Sequence, residues 1–173
     1  MEAEETPASF ETLLRRHGAA LYRSAYRLAG HESDAEDLLQ DTVIEGLRAF
    51  RSFRPGSHFD RWMRAIMSHT FIDRVRRKRR SPTTSLDAAE RLPAAPDISP
   101  EEVLLRSEEQ NAVREALVAL PPEFRLAVVL VDIEGLAYEE AAALMHCPLG
   151  TVRSRLHRGR QLLRTRLNGV LRE

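Results

Sequence analysis

Arginine is the residue type whose placement promises chemistry in this chain. The run Thr151-Val152-Arg153-Ser154-Arg155-Leu156-His157-Arg158-Gly159-Arg160 continues to Leu167 with a helical period. Val152, Leu156, Leu163 and Leu167 then point one way, and Arg153, Ser154, His157, Arg158 and Arg160 project elsewhere. A guanidinium fork can pair bidentately with guanine or with a phosphate. Just upstream, residues 138–145 read as a short helix with Ala141, Ala142 and Met145 available for packing, followed by the tight turn His146-Cys147-Pro148-Leu149-Gly150. A small-residue first helix lets a second helix pack closely and protrude, which is helix-turn-helix geometry. A protruding helix fits the major groove, with its N-terminal residues nearest the base edges. An arginine-rich helix hairpin can also be purely structural, and short patterns of this kind are only moderately specific.

Charge supports two anion-binding surfaces. The formal net charge is zero, from 26 basic and 26 acidic side chains, but it is distributed in blocks. Residues 1–50 carry −5, residues 51–80 carry +8, residues 81–140 carry −9 and residues 141–173 carry +6. Each basic block adjoins an acidic one, so solvated helix faces with neutralising neighbours are the plainer reading. The preference for arginine, 25 against one lysine, pervades the chain and is not confined to either block.

Other chemistry is poorly represented. The six histidines show no metal-ligand spacing, and a single cysteine excludes both a disulfide framework and a multi-thiolate zinc site. No phosphate-binding glycine loop or Gly-x-Ser-x-Gly elbow is present. No metal, no cofactor and no active site of its own are therefore expected. No apolar run approaches the ~20 residues of a membrane span, and the acidic start Met1-Glu2-Ala3-Glu4-Glu5 is unlike a secretory signal. A cytoplasmic protein without membrane insertion is the expectation.

The elements that must position these groups are helical throughout. Phe10, Leu13, Leu14, Leu21, Ala25 and Leu28 recur at helical spacing before a stop at Gly30. Ser33 and Glu36 have the spacing of a capping box, opening a stripe from Ala35 to Phe50. That stripe leaves Asp37, Gln40, Asp41 and Arg48 on the opposite side. Pro55-Gly56 marks a turn, and Ser57 could cap a helix running through Trp62, Ile66, Phe71 and Val75 into Arg76-Arg77-Lys78-Arg79-Arg80. Residues 81–98 have linker composition. A second half begins at residue 99, with Ser99 as N-cap, Pro100 at the first helical position and Glu102 completing the box. Val103, Leu104, Val113, Leu117 and Leu120 give a buried stripe ended by Pro121-Pro122, and Phe124 to Ile133 give a short apolar helix stopped near Gly135. The expected fold is all-α: two small helical domains, residues 1–80 and 99–173, joined by a flexible linker, the C-terminal one containing the helix-turn-helix.

Two motifs carry a family resemblance. Leu136 to Ala142, with Cys147-Pro148-Leu149-Gly150-Thr151-Val152-Arg153-Ser154-Arg155-Leu156, resembles the second conserved domain of bacterial RNA polymerase sigma factors of the extracytoplasmic-function (ECF) type. Asp34-Ala35-Glu36-Asp37-Leu38-Leu39-Gln40-Asp41-Thr42, Phe59-Asp60-Arg61-Trp62 and Phe71 to Arg77 independently resemble the first. Order, spacing and length agree over about residues 9–167.

The resemblance implies a chain that binds core RNA polymerase, through the β′ clamp and the β flap, and directs it to promoter DNA. Asp37, Gln40, Asp41 and Arg48 would face the clamp. Arg54, Ser57 and His58, in a loop that captures a flipped base, would read the minus-ten element together with Arg61, Trp62, Arg64, His69, Arg74, Arg76 and Arg77. Thr151, Arg153, Ser154, Arg155, His157 and Arg158 would read the minus-thirty-five element. An anti-sigma factor is implied as an inhibitory partner. From the residues alone, Trp62 with Phe59 and Ile66 fits a core stripe better than a stacking platform, and Arg76 to Arg80 read equally as a nonspecific polyanion-binding tail. The chain departs from the family at His69, where asparagine is common, at Ala137, where serine often caps, and at Val131, where some relatives carry arginine. A stand-alone helix-turn-helix regulator is the alternative, and a protein-only adaptor a third. Opposite charges on different blocks also permit a closed, self-masked form.

Overall fold

The computed structural model describes residues 8–80 and 108–170, all of whose regular elements are helical. Helix α1 spans Phe10–Ala29, α2 Glu32–Ala49 and α3 Phe59–Arg80; after the undescribed stretch come α4 Glu108–Val118, α5 Pro122–Val128, α6 Tyr138–Leu144 and α7 Leu149–Val170. The expected linker, and the Ser99-Pro100-Glu102 start with Val103 and Leu104, lie outside the described residues.

Ser9 caps α1, its hydroxyl accepting from the Thr12 amide at 3.2 Å, and Leu14, Leu21, Ala25 and Leu28 are buried as the spacing requires. The helix ends at Gly30, whose φ of 86° lies in the left-handed region. A second demand falls on the same residue: a Cβ there would sit 2.1 Å from Val118 Cγ2, so α4 closes directly on the end of α1.

Two capping expectations are corrected. α2 starts at Glu32 with His31 as its N-cap, so Ser33 is an exposed residue of the first turn and no capping box forms. Ser57 lies two residues before α3 and donates instead to the Arg54 carbonyl at 2.6 Å, which stabilises the Pro55-Gly56 turn. In both cases the helix took its boundary from buried apolar residues, Ala35 and Phe59, whose burial outweighs one cap.

The apolar segment after Pro121 is also not one α-helix. Pro122 occupies the first turn of α5, and at Val129–Ile133 the chain widens into a π-helical turn, with Glu134 N–H bonded to Val129 O at 2.9 Å. The consecutive residues Leu126 to Leu130 are all buried, more than one stripe of a regular helix would bury, and the π turn is where the segment leaves the core. It also brings Asp132 to Arg160 of α7, paired through the Nε and Nη2 of the guanidinium at 3.0 and 2.6 Å.

α6 and α7 form the expected helix-turn-helix, with His146 at φ 48° in the turn. α7 packs on α5 at Gly159, where a Cβ would meet Val128 Cγ2 at 2.8 Å. The two halves share one hydrophobic core: α1 to α3 contribute Leu21, Leu38, Met63 and Met67, and α4 to α7 contribute Leu120, Leu126, Val129 and Leu156.

Candidate nucleic-acid interface

α7 is held by Val152 and Leu156, both buried, so its opposite side must face outward. Arg153, Ser154, His157 and Arg158 are exposed, while Thr151 and Arg155 are half-buried. Arg153 and Arg158 have no side-chain partner among the described residues, leaving both forks available to an external acceptor. The Ser154 hydroxyl is already engaged with the Thr151 carbonyl at 3.0 Å. Arg160 is different: its pairing with Asp132 raises its proton affinity further and fixes α7 to the π turn.

The expected departure at Ala137 is visible as half a cap. Glu140 reaches back to accept from the Ala137 amide at 2.9 Å, but alanine offers no oxygen to the amides of α6. Val131 is half-buried against the core, within the π turn.

In the N-terminal half, Arg54, Ser57 and His58 stand exposed around the Pro55-Gly56 turn. Ser57 and His58 border a cleft of about 1010 Å³ whose floor includes Phe50, Phe53 and Phe59. Trp62 joins this aromatic group, its ring centroid 5.2 Å from Phe53 and 5.9 Å from Phe59. It is half-buried against the core, which agrees with the core stripe read from spacing.

The remaining minus-ten candidates on α3 divide into two groups. Arg74 turns back onto α2, 3.8 Å from Asp37 and 3.6 Å from Asp41. Arg76 lies 3.9 Å from Asp73 and Arg77 is exposed. Asp41, Arg48, His69, Arg74 and Arg77 line one open trough, so clamp candidates and DNA candidates share an edge. Gln40 is half-buried beside it, Asp37 is exposed, and Arg48 is paired with Glu45 at 2.7 Å. Leu47 is 60% exposed on the same helix, an apolar group that the described chain leaves uncovered.

Arg61, Arg64 and His69, by contrast, face the C-terminal half. Arg61 pairs with Glu140 at 3.1 Å. Arg64 pairs with Asp60 at 2.9 Å on its own helix and lies 3.1 Å from Glu134, whose side chain is only 4% exposed and also accepts from the Ser24 hydroxyl. The Arg64 Nε and Glu134 Oε2 atoms are buried but not aligned as a hydrogen bond, so their attraction is mainly coulombic. The ring of His69 stacks on His146 with centroids 4.3 Å apart. Burial, then the neighbouring His146, lowers the His69 pKa from 6.5, opposed by a Leu144 backbone hydrogen bond and by Asp73.

The sequence reading missed the groups that join the halves. Arg125 on α5 donates to Leu28 O at the end of α1, and to Leu117 O, Val118 O and Leu120 O at the end of α4. One guanidinium thus satisfies the open carbonyls of two helices and complements both C-terminal dipoles. Burial lowers its pKa without approaching neutrality. Arg114 donates to Gly30 O at 2.8 Å. Glu123 binds Arg79 at 2.8 and 3.2 Å, and that hydrogen bonding holds its carboxyl below the usual value despite partial desolvation. The available signal was a lone arginine inside the apolar run after Pro122, which has no reason to be there unless it is paired.

Among the described residues no group of three or more His, Cys, Asp or Glu could hold a metal ion, and no helix is long and apolar enough to cross a membrane. Among the described residues, an all-helical fold with a helix-turn-helix, exposed arginines on its second helix and a basic helix in the N-terminal half has the features of a DNA-binding protein. Comparison with known proteins narrows this. The sigma-70 region 2 family matches residues 13–81, and the sigma-70 region 4 family matches residues 110–163. An ECF RNA polymerase sigma factor, SigE of Mycolicibacterium smegmatis, is 47% identical over 157 residues, 90% of this chain and 60% of the relative. The sigma-H factor of Pseudomonas aeruginosa is 35% identical over 95% of this chain and 89% of its own. The sigma-E factor of Escherichia coli K12 is 35% identical over 91% of this chain and 84% of its own. Among solved structures, the sigma factor RpoE bound to the anti-sigma factor NepR from Bartonella quintana superposes with a TM-score of 0.69 at 29% identity, covering 92% of this chain and 96% of that one. CnrH in complex with the cytosolic domain of CnrY gives 0.60 at 26% identity, over 92% of this chain and 88% of that one. The chain belongs to the ECF family of RNA polymerase sigma factors.

Proposed function

We propose that this chain binds core RNA polymerase, directs it to a specific promoter class and promotes DNA opening, while the polymerase performs the chemistry. The observation that carries this reading is the presence of both sigma-70 regions in order, each on its own helical half. Residues 1–80 form the clamp-binding and minus-ten half, 81–98 the tether, and 99–173 the minus-thirty-five half. The available forks of Arg153 and Arg158 support α7 as the upstream reader, with Thr151, Ser154, Arg155 and His157 beside them. The cleft under Ser57 and His58, floored by aromatic rings, supports a pocket for an unstacked base, with Arg54 exposed on the adjoining turn.

The acidic edge Asp37-Gln40-Asp41 and the exposed Leu47 support the clamp contact, and the chain works in the cytoplasm where polymerase is. Linking two readers on one chain raises the effective concentration of the second once the first is bound. An anti-sigma partner is part of the reading, since a solved relative is held by one.

In vitro transcription from a promoter library with core polymerase tests it. Discrete start sites that depend on this chain are expected. No new starts would shift the reading to a stand-alone helix-turn-helix regulator.

A further inference from the structure

Helix α1 carries no residue assigned so far to DNA, yet it forms one wall of the cleft beside the Pro55-Gly56 turn. Leu13, Arg16 and His17 lie three and four residues apart, on one face of α1, and all three line that cleft. Stacking an unstacked base needs a ring with a free face. The phenylalanines of the floor turn theirs to one another: Phe53 stacks on Phe50 with centroids 5.7 Å apart, and meets Phe59 edge-on at 5.6 Å. Phe59 is also buried, at 2% exposure. His17 is the better placed ring. Half-buried, it rests on Phe59 with centroids 5.7 Å apart and planes tilted by 40°. That packing orients the imidazole at the edge of the cleft, whereas His58 is exposed and has no ring contact among the described residues.

The cations of this cleft differ from their neighbours in the same way. Arg15 is tied to Glu11 at 2.7 Å and Arg48 to Glu45 at 2.7 Å, each on its own helix. Arg16 and Arg51 line the cleft, are exposed, and have no carboxylate partner among the described residues. Asp60, the acid on the same lining, is paired with Arg64 at 2.9 Å and so does not neutralise them. A guanidinium beside a stacked base is placed for a phosphate of the same strand, its fork matching two phosphate oxygens.

We propose that His17 is the stacking platform for the unstacked minus-ten base and that Arg16 and Arg51 hold the phosphates flanking it, so that α1 and the turn after α2 complete a nucleotide site. The ligand is a segment of single-stranded DNA. This rests on the base-capture reading made under Proposed function, and carries it from the loop to α1. Stacking tolerates any base, so His17 and the two arginines supply affinity at a fixed position rather than base choice.

The experiment uses the holoenzyme, this chain bound to core polymerase, and fork-junction DNA carrying the minus-ten element mapped by transcription. Equilibrium affinity is measured on the intact strand and on strands with each minus-ten nucleotide in turn made abasic. His17→Ala is expected to weaken binding to the intact strand about tenfold, within the range for losing one base–ring stack. On the strand abasic at the captured position it should lose nothing further, because no base is left to stack. His17→Phe keeps a ring on Phe59 and should retain most of the affinity. Arg16→Ala and Arg51→Ala should weaken intact and abasic strands alike. Each should lower the salt slope of log affinity by about 0.7, the share of one single-strand phosphate. Arg15→Ala, next along the helix but tied to Glu11, should leave that slope unchanged.

A folding defect acts on intact and abasic strands equally, so the comparison separates stacking from stability. An H17A loss that persists on every abasic strand overturns the proposal. So does unchanged affinity of H17A for the intact strand, or an unchanged salt slope in R16A/R51A. A parent holoenzyme that makes no promoter-dependent start removes the sigma reading itself, whereas a parent that initiates normally while H17A binds equally well removes only the α1 wall.

Discussion

Two helices of this chain carry most of the arginines proposed to meet DNA, and they differ in how those side chains are partnered. On α7, Arg153 and Arg158 are exposed and have no side-chain partner among the described residues. On α3, Arg61, Arg64, Arg74 and Arg79 are each paired with a carboxylate. Arg61, Arg64 and Arg79 are tied to carboxylates of the C-terminal half and Arg74 to those of α2, and of the three facing the C-terminal half only Arg64 is shielded from solvent.

The largest way to break this contrast is Arg125→Ala. It strands carbonyls at the ends of α1 and α4 and removes a partly buried cation from their dipoles, and should cost about 3 kcal/mol. Chemical denaturation measures the loss, and scattering should show separated halves with α7 still folded on α5.

Arg153→Ala or Arg158→Ala strikes the other side. Each should weaken transcription dependent on the minus-thirty-five element by about 1–3 kcal/mol of binding free energy. Neither should change compaction, because neither side chain takes part in closure. Normal transcription by the double variant would remove α7 as the upstream reader.

A gain is expected at Ala137→Ser. The new hydroxyl completes the box that Glu140 already half forms, stabilising α6 by about 0.5–1 kcal/mol. A thermal melt detects it, and an unchanged melting temperature would show that the turn before α6 cannot present the oxygen.

The smallest effect is a pH dependence of closure. His69 has its pKa lowered from 6.5 in the closed form by burial and then by His146; Leu144 O and Asp73 oppose this, and Arg74 and Arg77 line the same trough. Closure therefore favours neutral His69: its contribution is complete above 6.5 and is lost as pH falls through that region. Glu123 acts in the same direction at lower pH, since Arg79 depresses its pKa and the pairing disappears on protonation. Scattering from about pH 7.5 to about pH 5.5 should show expansion, reduced in His69→Asn. Compaction on acidification would contradict the assignment.

Much of the architecture was legible before any coordinates. The stop at Gly30, the turn at Pro55-Gly56 and the α6–turn–α7 hairpin follow from backbone chemistry and apolar period, and the structure has all three. The capping roles of Ser33 and Ser57 were not legible, because a cap is a small local preference that burial of Ala35 and Phe59 overrides. The π turn at Val129–Ile133 was equally hidden: an apolar run shows no period where the consecutive residues Leu126 to Leu130 are all buried.

What the sequence by itself determined is the set of helices, their order and the arginine face of α7, since each depends on residues three or four positions apart. The tertiary structure alone decided which arginines are paired across the two halves. Glu134 meets Ser24 across 110 residues and Arg125 meets Leu28 across 97, and no local period encodes such pairs. They form because helix packing brings a charged group of one half against a polar group of the other in a poorly hydrated contact, where a charge left without a hydrogen-bond partner is costly.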